Sequence, residues 1–182
     1  MIYKDDQVAL ETALAVAKLM AVAAKTAPKG CGEDNVVSII LDGSEKDLLS
    51  SHMREIAIES GADFFTRDAG NVDNSHCVLL IGVMDNPLAL DSCKLCGFKN
   101  CGEAKAAGAN CAFNVTDLGI AIGSAVSVAA DHRIDNRVLF SAGKAALRCN
   151  IFDPSIKICF GIPLSTTSKS IFFDRDPGSV LV

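Results

Sequence analysis

Four of the eight cysteines in this sequence fall together, as Cys93-Lys94-Leu95-Cys96-Gly97-Phe98-Lys99-Asn100-Cys101 followed by Cys111. Their spacing is C-x2-C-x4-C-x9-C. Two cysteines three apart can wrap a metal in a tight knuckle, and Gly97 permits the sharp turn that follows. Backbone amides near Gly97 and Gly102 could point at sulfur and stabilise its negative charge. Four thiolates with no local histidine suit a [4Fe–4S] cluster or a structural zinc, and the spacing alone does not separate the two. Cys93, Cys96, Cys101 and Cys111 are therefore the expected metal ligands.

The other chemistry-bearing residues are weaker signals. Cys31 lies between Gly30 and Gly32, directly after Pro28 and Lys29. A Gly-rich loop beside a lysine could lower the thiol pKa or present amides to an anion, or be a tight turn that happens to hold a cysteine. Cys77, Cys149 and Cys159 sit in apolar stretches, where a free cysteine behaves as a small hydrophobe. His52 and His76 read as surface or internally satisfied residues. His132, Arg133, Arg137 and Lys144 suit either an anion pocket or a solvated helix end. Asn114 and Asp117 stand near a helix start, where capping alone accounts for them. No Ser/His/Asp set, phosphate loop or H-E-x-x-H appears, so hydrolase and nucleotidase functions lack support.

The elements that must carry these residues alternate. A helix is expected from Asp5 to Ala27, capped by Asp5 or Asp6 and ended by Pro28 and Gly30. Asn35 to Leu41 is a nearly continuous apolar run that suits a strand buried on both faces. Ser44 is expected to cap a second helix that Gly61 stops after Ser60. Arg67 to Ser75 is polar and turn-like, and His76 to Met84 reads as a second buried strand. Residues 85–111 break the pattern with four cysteines and little apolar periodicity. A helix from Ala112 to Ala130 is apolar nearly all round, so it is expected to be covered on all sides. A shorter helix over Ser141–Cys149 and a strand over Lys157–Leu164 complete the series. The pattern suits one domain over residues 1–182, with residues 85–111 as a cysteine-rich insertion.

The 182 residues are 49% hydrophobic and 21% charged, a globular composition. Seventeen basic against 22 acidic residues give a formal charge of -5, which disfavours nucleic acid and anionic membrane surfaces as partners. The first residues lack a basic start followed by an apolar core, and the uncharged stretch Leu118–Ala130 is too short to span a bilayer. A cytoplasmic protein with reduced thiols is expected.

The stretch Cys96-Gly97-Phe98-Lys99-Asn100-Cys101-Gly102, with Cys111 after it, resembles the small four-cysteine cluster modules of anaerobic redox complexes. Further pieces are Thr26–Gly32, Arg67–Val72, Asp117–Ala125, Asp135-Asn136-Arg137 and Phe172–Arg175. With them the whole chain resembles a family of uncharacterised prokaryotic proteins described as containing a ferredoxin domain. That resemblance implies a [4Fe–4S] cluster, electron transfer and a redox partner protein. A wider similarity, carried by Ala27-Pro28, Asp117–Ala129 and Gly161-Ile162-Pro163 in that order, is to the flavin-dependent nitroreductase fold. It implies an α+β, nitroreductase-like three-layer arrangement with a cysteine-rich cluster-binding insertion. It also implies an intertwined homodimer and an FMN site bordered by Pro28, Lys29, Gly30, Cys31, Gly32 and Asp117. The arginine-rich segment that this family places before the Ala-Pro turn has no counterpart in residues 3–24. The apolar tail from Lys169 to Val182 is a further candidate for burial against a second copy.

Overall fold

Cys77–Met84 forms a strand whose residues are all buried except the last. Both of its faces are covered, so every side chain along it must be apolar or very small. The structure, a computed structural model, describes residues 1–173. Among these residues the elements run α1 (Asp5–Thr26), β1 (Val36–Asp42), α2 (Gly43–Ser60), α3 (Phe64–Asp73), β2 (Cys77–Met84), α4 (Cys101–Ala106), α5 (Ala112–Asp131), β3 (Asp135–Asn136), α6 (Phe140–Arg148) and β4 (Ile156–Ser165). A 3-10 turn, Gly30–Gly32, lies between α1 and β1.

The sheet order is β1-β2-β4-β3, and every neighbouring pair is antiparallel. Leu80 faces Ile39 on one side and Gly161 on the other. Helices α1 and α5 pack on one face of the sheet, through Ala13, Ala17, Met20, Leu118, Ala121 and Ala125. Helices α2, α3 and α6 cover the opposite face, through Leu49, Met53, Phe65, Val72, Ala142 and Ala146. The result is the α+β three-layer arrangement that the sequence led us to expect.

Several local expectations are corrected. The middle of β1 is half-buried, because among the described residues β1 is an edge strand with no strand on its outer side. Residues expected to form a polar turn belong instead to α3. Phe65, Ala69 and Val72 make an apolar stripe there, but the buried polar residues Asp68 and Asn71 share it and mask the period. Asp68 is satisfied in place: Arg67 Nε and Nη2 donate to its Oδ1 at 2.9 and 2.6 Å, and Ser141 Oγ donates to Oδ2 at 2.6 Å. Asp42, not Ser44, stands at the N-terminus of α2, and Lys4 precedes α1. Neither makes a side-chain cap. Gly61 does end α2, in the left-handed conformation.

Helix α5 buries one stripe, through Leu118, Ala121, Ala125 and Ala129. Its other side exposes Val115 and Ile120, with open space over Gly119 and Gly123. Val8, Leu19 and Val22 of α1 are exposed as well. By length and composition alone, α1 and α5 could each cross a membrane, but here each packs a stripe of small residues onto the sheet. Of the tail, Phe172 is buried and Phe173 exposed, while residues 174–182 lie outside the described residues.

Helix α6 lies unusually close to β4. A Cβ added to Gly143 would stand 1.8 Å from the Cys159 carbonyl oxygen, and one added to Gly161 would stand 2.6 Å from Ala142 Cβ. Backbone cannot yield as a flexible side chain can, so Gly143→Ala is expected to cost about 2–3 kcal/mol, in the upper range for overpacking. Gly70, in α3, has nothing within 4 Å of such a Cβ. Gly70→Ala should therefore stabilise by about 0.5–1 kcal/mol. Thermal unfolding followed by circular dichroism measures both, and equal effects would contradict the packing.

Candidate metal centre

The cysteine-bearing segment leaves the sheet at the end of β2 and returns at the start of α5. Its path is a series of tight turns. Ala89, Ser92 and Lys94 take positive φ of 53°, 60° and 49°, and Gly97 takes 84°. The Cys93 amide donates to the Leu90 carbonyl and the Gly97 amide to the Lys94 carbonyl. Left-handed turns of this kind give chain reversals and concave sets of N–H groups that suit negative charge. Asn100 then caps α4 through its Oδ1, which accepts from the Glu103 amide at 2.9 Å, and so places Cys101 as the first residue of that helix. Gly108, at φ 69°, ends the turn after α4. Cys111 occupies the N-cap position of α5.

This path brings Cys93, Cys96, Cys101 and Cys111 to the wall of one cavity of about 430 Å³, which Leu90 and Phe98 help to line. Each of the four is half-buried. Among the described residues no three His, Cys, Asp or Glu side chains are gathered closely enough to hold one ion as they stand. A water-sized body needs only about 10–15 Å³ of such space. Four thiols on one cavity wall supply the donor set of either a [4Fe–4S] cluster or a single tetrahedral ion.

The remaining cysteines are placed differently. Burial pushes the Cys77 thiol up to about 12, with the nearby Asp42 carboxylate adding to the effect. Burial does the same to Cys159, also to about 12. Cys149 is half-buried and its thiol is raised, by burial and then by Glu55. Cys77 and Cys159 pack in the two core layers as small apolar residues, as their surroundings in the sequence suggest, whereas Cys149 lies half-buried at the end of α6.

The second set of expected residues also comes together. The Gly30 amide donates to both carboxylate oxygens of Asp117, each at 3.0 Å, and Asp117 is only 4% exposed. A Cβ on Gly30 would meet Leu88 at 2.8 Å and Phe113 at 3.1 Å, so the turn abuts the root of the cysteine segment. Its capacity to hold an anion is already committed. A carboxylate occupies the Gly30 amide, and Lys29 Nζ donates to the Ala24 and Lys25 carbonyls at the end of α1, at 2.7 and 2.6 Å. Cys31 is exposed in the left-handed conformation, at φ 56°, and Gly32 follows it at 72°. Pro28 is exposed where α1 ends. The site does not fit a flavin phosphate at this loop.

Asp117 and Asn114 are not caps, because both reach out of α5 to other segments. Asn114 Nδ2 donates to the Met84 and Asn86 carbonyls, each at 3.0 Å. Asn86 Nδ2 in turn donates to Asn35 Oδ1 at 3.0 Å, and the Met84 amide to the Asn35 carbonyl at 2.9 Å. Asn35 and Asn86 carried no signal in the sequence, since an asparagine beside a strand end reads as a turn residue. Of the basic group near the end of α5, Arg137 is engaged by the Phe172 carbonyl at 3.1 Å and lies over the Phe173 ring. His52 pairs with Glu55, and His76 with Thr166.

The contrast among the thiols is directly measurable, because the thiolate is the reacting form and must be reachable. Iodoacetamide applied to the reduced, folded protein should label Cys31 and the four cavity cysteines before Cys149. Cys77 and Cys159 should react only on unfolding. Mass spectrometry reads the order, and early labelling of Cys77 or Cys159 would contradict this arrangement.

Comparison with known proteins fits both layers of this description. A family model described as "Uncharacterized protein containing a ferredoxin domain" (DUF2148) matches residues 107–175, a stretch that includes Cys111. A nitroreductase with bound FMN from Desulfitobacterium hafniense superposes with a TM-score of 0.56 at 14% identity, over 93% of this chain and 81% of that one. The FMN-dependent nitroreductase NfnB from Mycobacterium smegmatis, in complex with NADPH, gives 0.59 at 11% identity, over 85% and 78%. At such identities the likeness is one of fold, and the fold is nitroreductase-like. An "Uncharacterized protein" of Archaeoglobus fulgidus is 41% identical over 169 residues, 88% of this chain and 90% of the relative. On that identity, and on the family model that the C-terminal part matches, the chain belongs to the family of uncharacterised proteins containing a ferredoxin domain.

Proposed function

We propose that this chain is a cytoplasmic redox protein that holds one [4Fe–4S] cluster on Cys93, Cys96, Cys101 and Cys111. The observation that carries the reading is the convergence of these four thiols on one cavity of about 430 Å³. The family description, with its ferredoxin domain, supports it. When bound, such a cluster accepts and releases single electrons. The chain's own part is to supply four thiolates, to place Cys101 and Cys111 at helix N-termini where partial positive charge faces the sulfurs, and to shield the site with Leu90 and Phe98. The electrons would pass between a redox partner protein and this chain. Neither nucleic acid nor a membrane enters the proposal.

The nitroreductase-like fold favours a second reading, an FMN-dependent oxidoreductase, since structural neighbours of this chain are described as binding FMN. The Gly30 loop does not fit that group's phosphate, and no step is derived through it. A structural zinc is the third alternative. Anaerobic reconstitution with iron and sulfide decides among them. The proposal expects about four iron and four acid-labile sulfide per chain, with an absorption near 400 nm that dithionite bleaches. One zinc and no sulfide would overturn it. Bound FMN without iron would favour the second reading.

A homodimer is part of the proposal. It would cover Val115, Ile120, Val8 and Val22, together with the open faces of Gly119 and Gly123. Sedimentation equilibrium should give twice the 19.1 kDa of one chain. The double variant Gly119→Leu/Gly123→Leu should fall to the single-chain mass, because a Cβ at either glycine has nothing within 4 Å among the described residues. A wild-type mass near 19.1 kDa would reject the dimer.

A further inference from the structure

We propose that Asn114 is the positioning residue of the cluster-bearing segment, its amide nitrogen fastening the departure of that segment from β2 to the helix turn that carries Cys111. The inference rests on the cluster reading above and adds a residue to it that the cysteine pattern does not contain. Asn114 lies one turn after Cys111 in α5 and is 2% exposed. Both partners of its Nδ2, the Met84 and Asn86 carbonyls, are acceptors, so the nitrogen must face them and the orientation of the amide is fixed.

The consequence is visible on the other side of the side chain. Asn114 Oδ1 is buried and has no hydrogen-bond partner among the described residues. Asn114, Cys111, Met84 and Asp85 line one narrow crevice beside the root of the segment. A buried acceptor left unpaired is costly. An apolar side chain would avoid that cost, yet could not grip the two carbonyls. Asn86 extends the grip to Asn35 at the start of β1, which holds the departing strand by its own carbonyl. Three ligands lie along the segment between these two anchors and the fourth is the N-cap of α5, so the distance between Cys111 and the other three depends on this fastening. Asp117 does not share the role, because its carboxylate is spent on Gly30.

The test compares reconstituted wild type, Asn114→Ala and Asn114→Leu. Supporting groups behind metal ligands commonly change metal affinity by roughly tenfold or more. Iron release to a chelator should therefore be about tenfold faster in Asn114→Ala, and the electron paramagnetic resonance signal of its reduced cluster should shift in g values. Loss of packing alone would leave that signal in place. Asn114→Leu, which keeps most of the volume but cannot donate to either carbonyl, keeps the test open if Asn114→Ala does not fold, and its iron release should likewise be about tenfold faster than in wild type. Release rates and g values equal to wild type in the folded variants would overturn the inference while leaving the cluster reading intact. A wild-type protein that takes up no iron and sulfide would overturn both.

Discussion

A long excursion from a sheet must begin and end on something rigid, and here one amide does much of that holding. Residues 85–111 contain only one short helix and few apolar contacts, so their shape cannot come from a core of their own. Asn114 binds the carbonyls of Met84 and Asn86, where the excursion starts, from the helix turn at which it ends. Each such hydrogen bond is worth about 0.5–1.5 kcal/mol net, but an unpaired buried carbonyl costs about 1–3 kcal/mol. The left-handed residues between the anchors fold the intervening chain back on itself, and the four cysteines line the cavity that remains.

The layers behind this segment are built from small residues. Alanines of α1 and α5 lie against one sheet face, and Ala142, Gly143, Ala145 and Ala146 of α6 against the other. Close approach leaves the helices little freedom to slide, so the N-terminus of α5, with Cys111 and Asn114 on it, has a fixed place relative to β2. The environment also divides the cysteines by role. Cys77 and Cys159 are deprived of water and hold their protons to about 12, so they contribute volume and no chemistry. The four in the insertion lie outside the core and remain available as ligands.

Much of this was legible in the sequence, for identifiable reasons. The strands around Leu80 and Ile162 declare themselves by uninterrupted apolar runs, and Gly61 ends α2 as glycine should. The four-cysteine spacing singles out residues that line one cavity. What stayed hidden depended on tertiary contacts. Helix α3 was masked because Asp68 and Asn71 occupy its buried stripe, acceptable only once Arg67 and Ser141 are brought to Asp68. The two residues of β3 pair with the end of β4, a partner that local pattern cannot name. Asn114 and Asp117 look like helix caps in one dimension, and only the fold shows them reaching across to Met84 and Gly30. Lys29 looked free to meet a phosphate, yet it closes the end of its own helix.

Fold and site together describe a nitroreductase-like scaffold whose flavin-type loop is closed by Asp117 and whose insertion gathers thiols instead. The central claim is that Cys93, Cys96, Cys101 and Cys111 share a single cluster. The most direct measurement is anomalous diffraction at the iron edge from crystals of anaerobically prepared protein. The account predicts one compact group of iron peaks inside the cavity, with each of the four sulfurs bonded to it. A lone zinc at that place, or iron held by other residues, would contradict it.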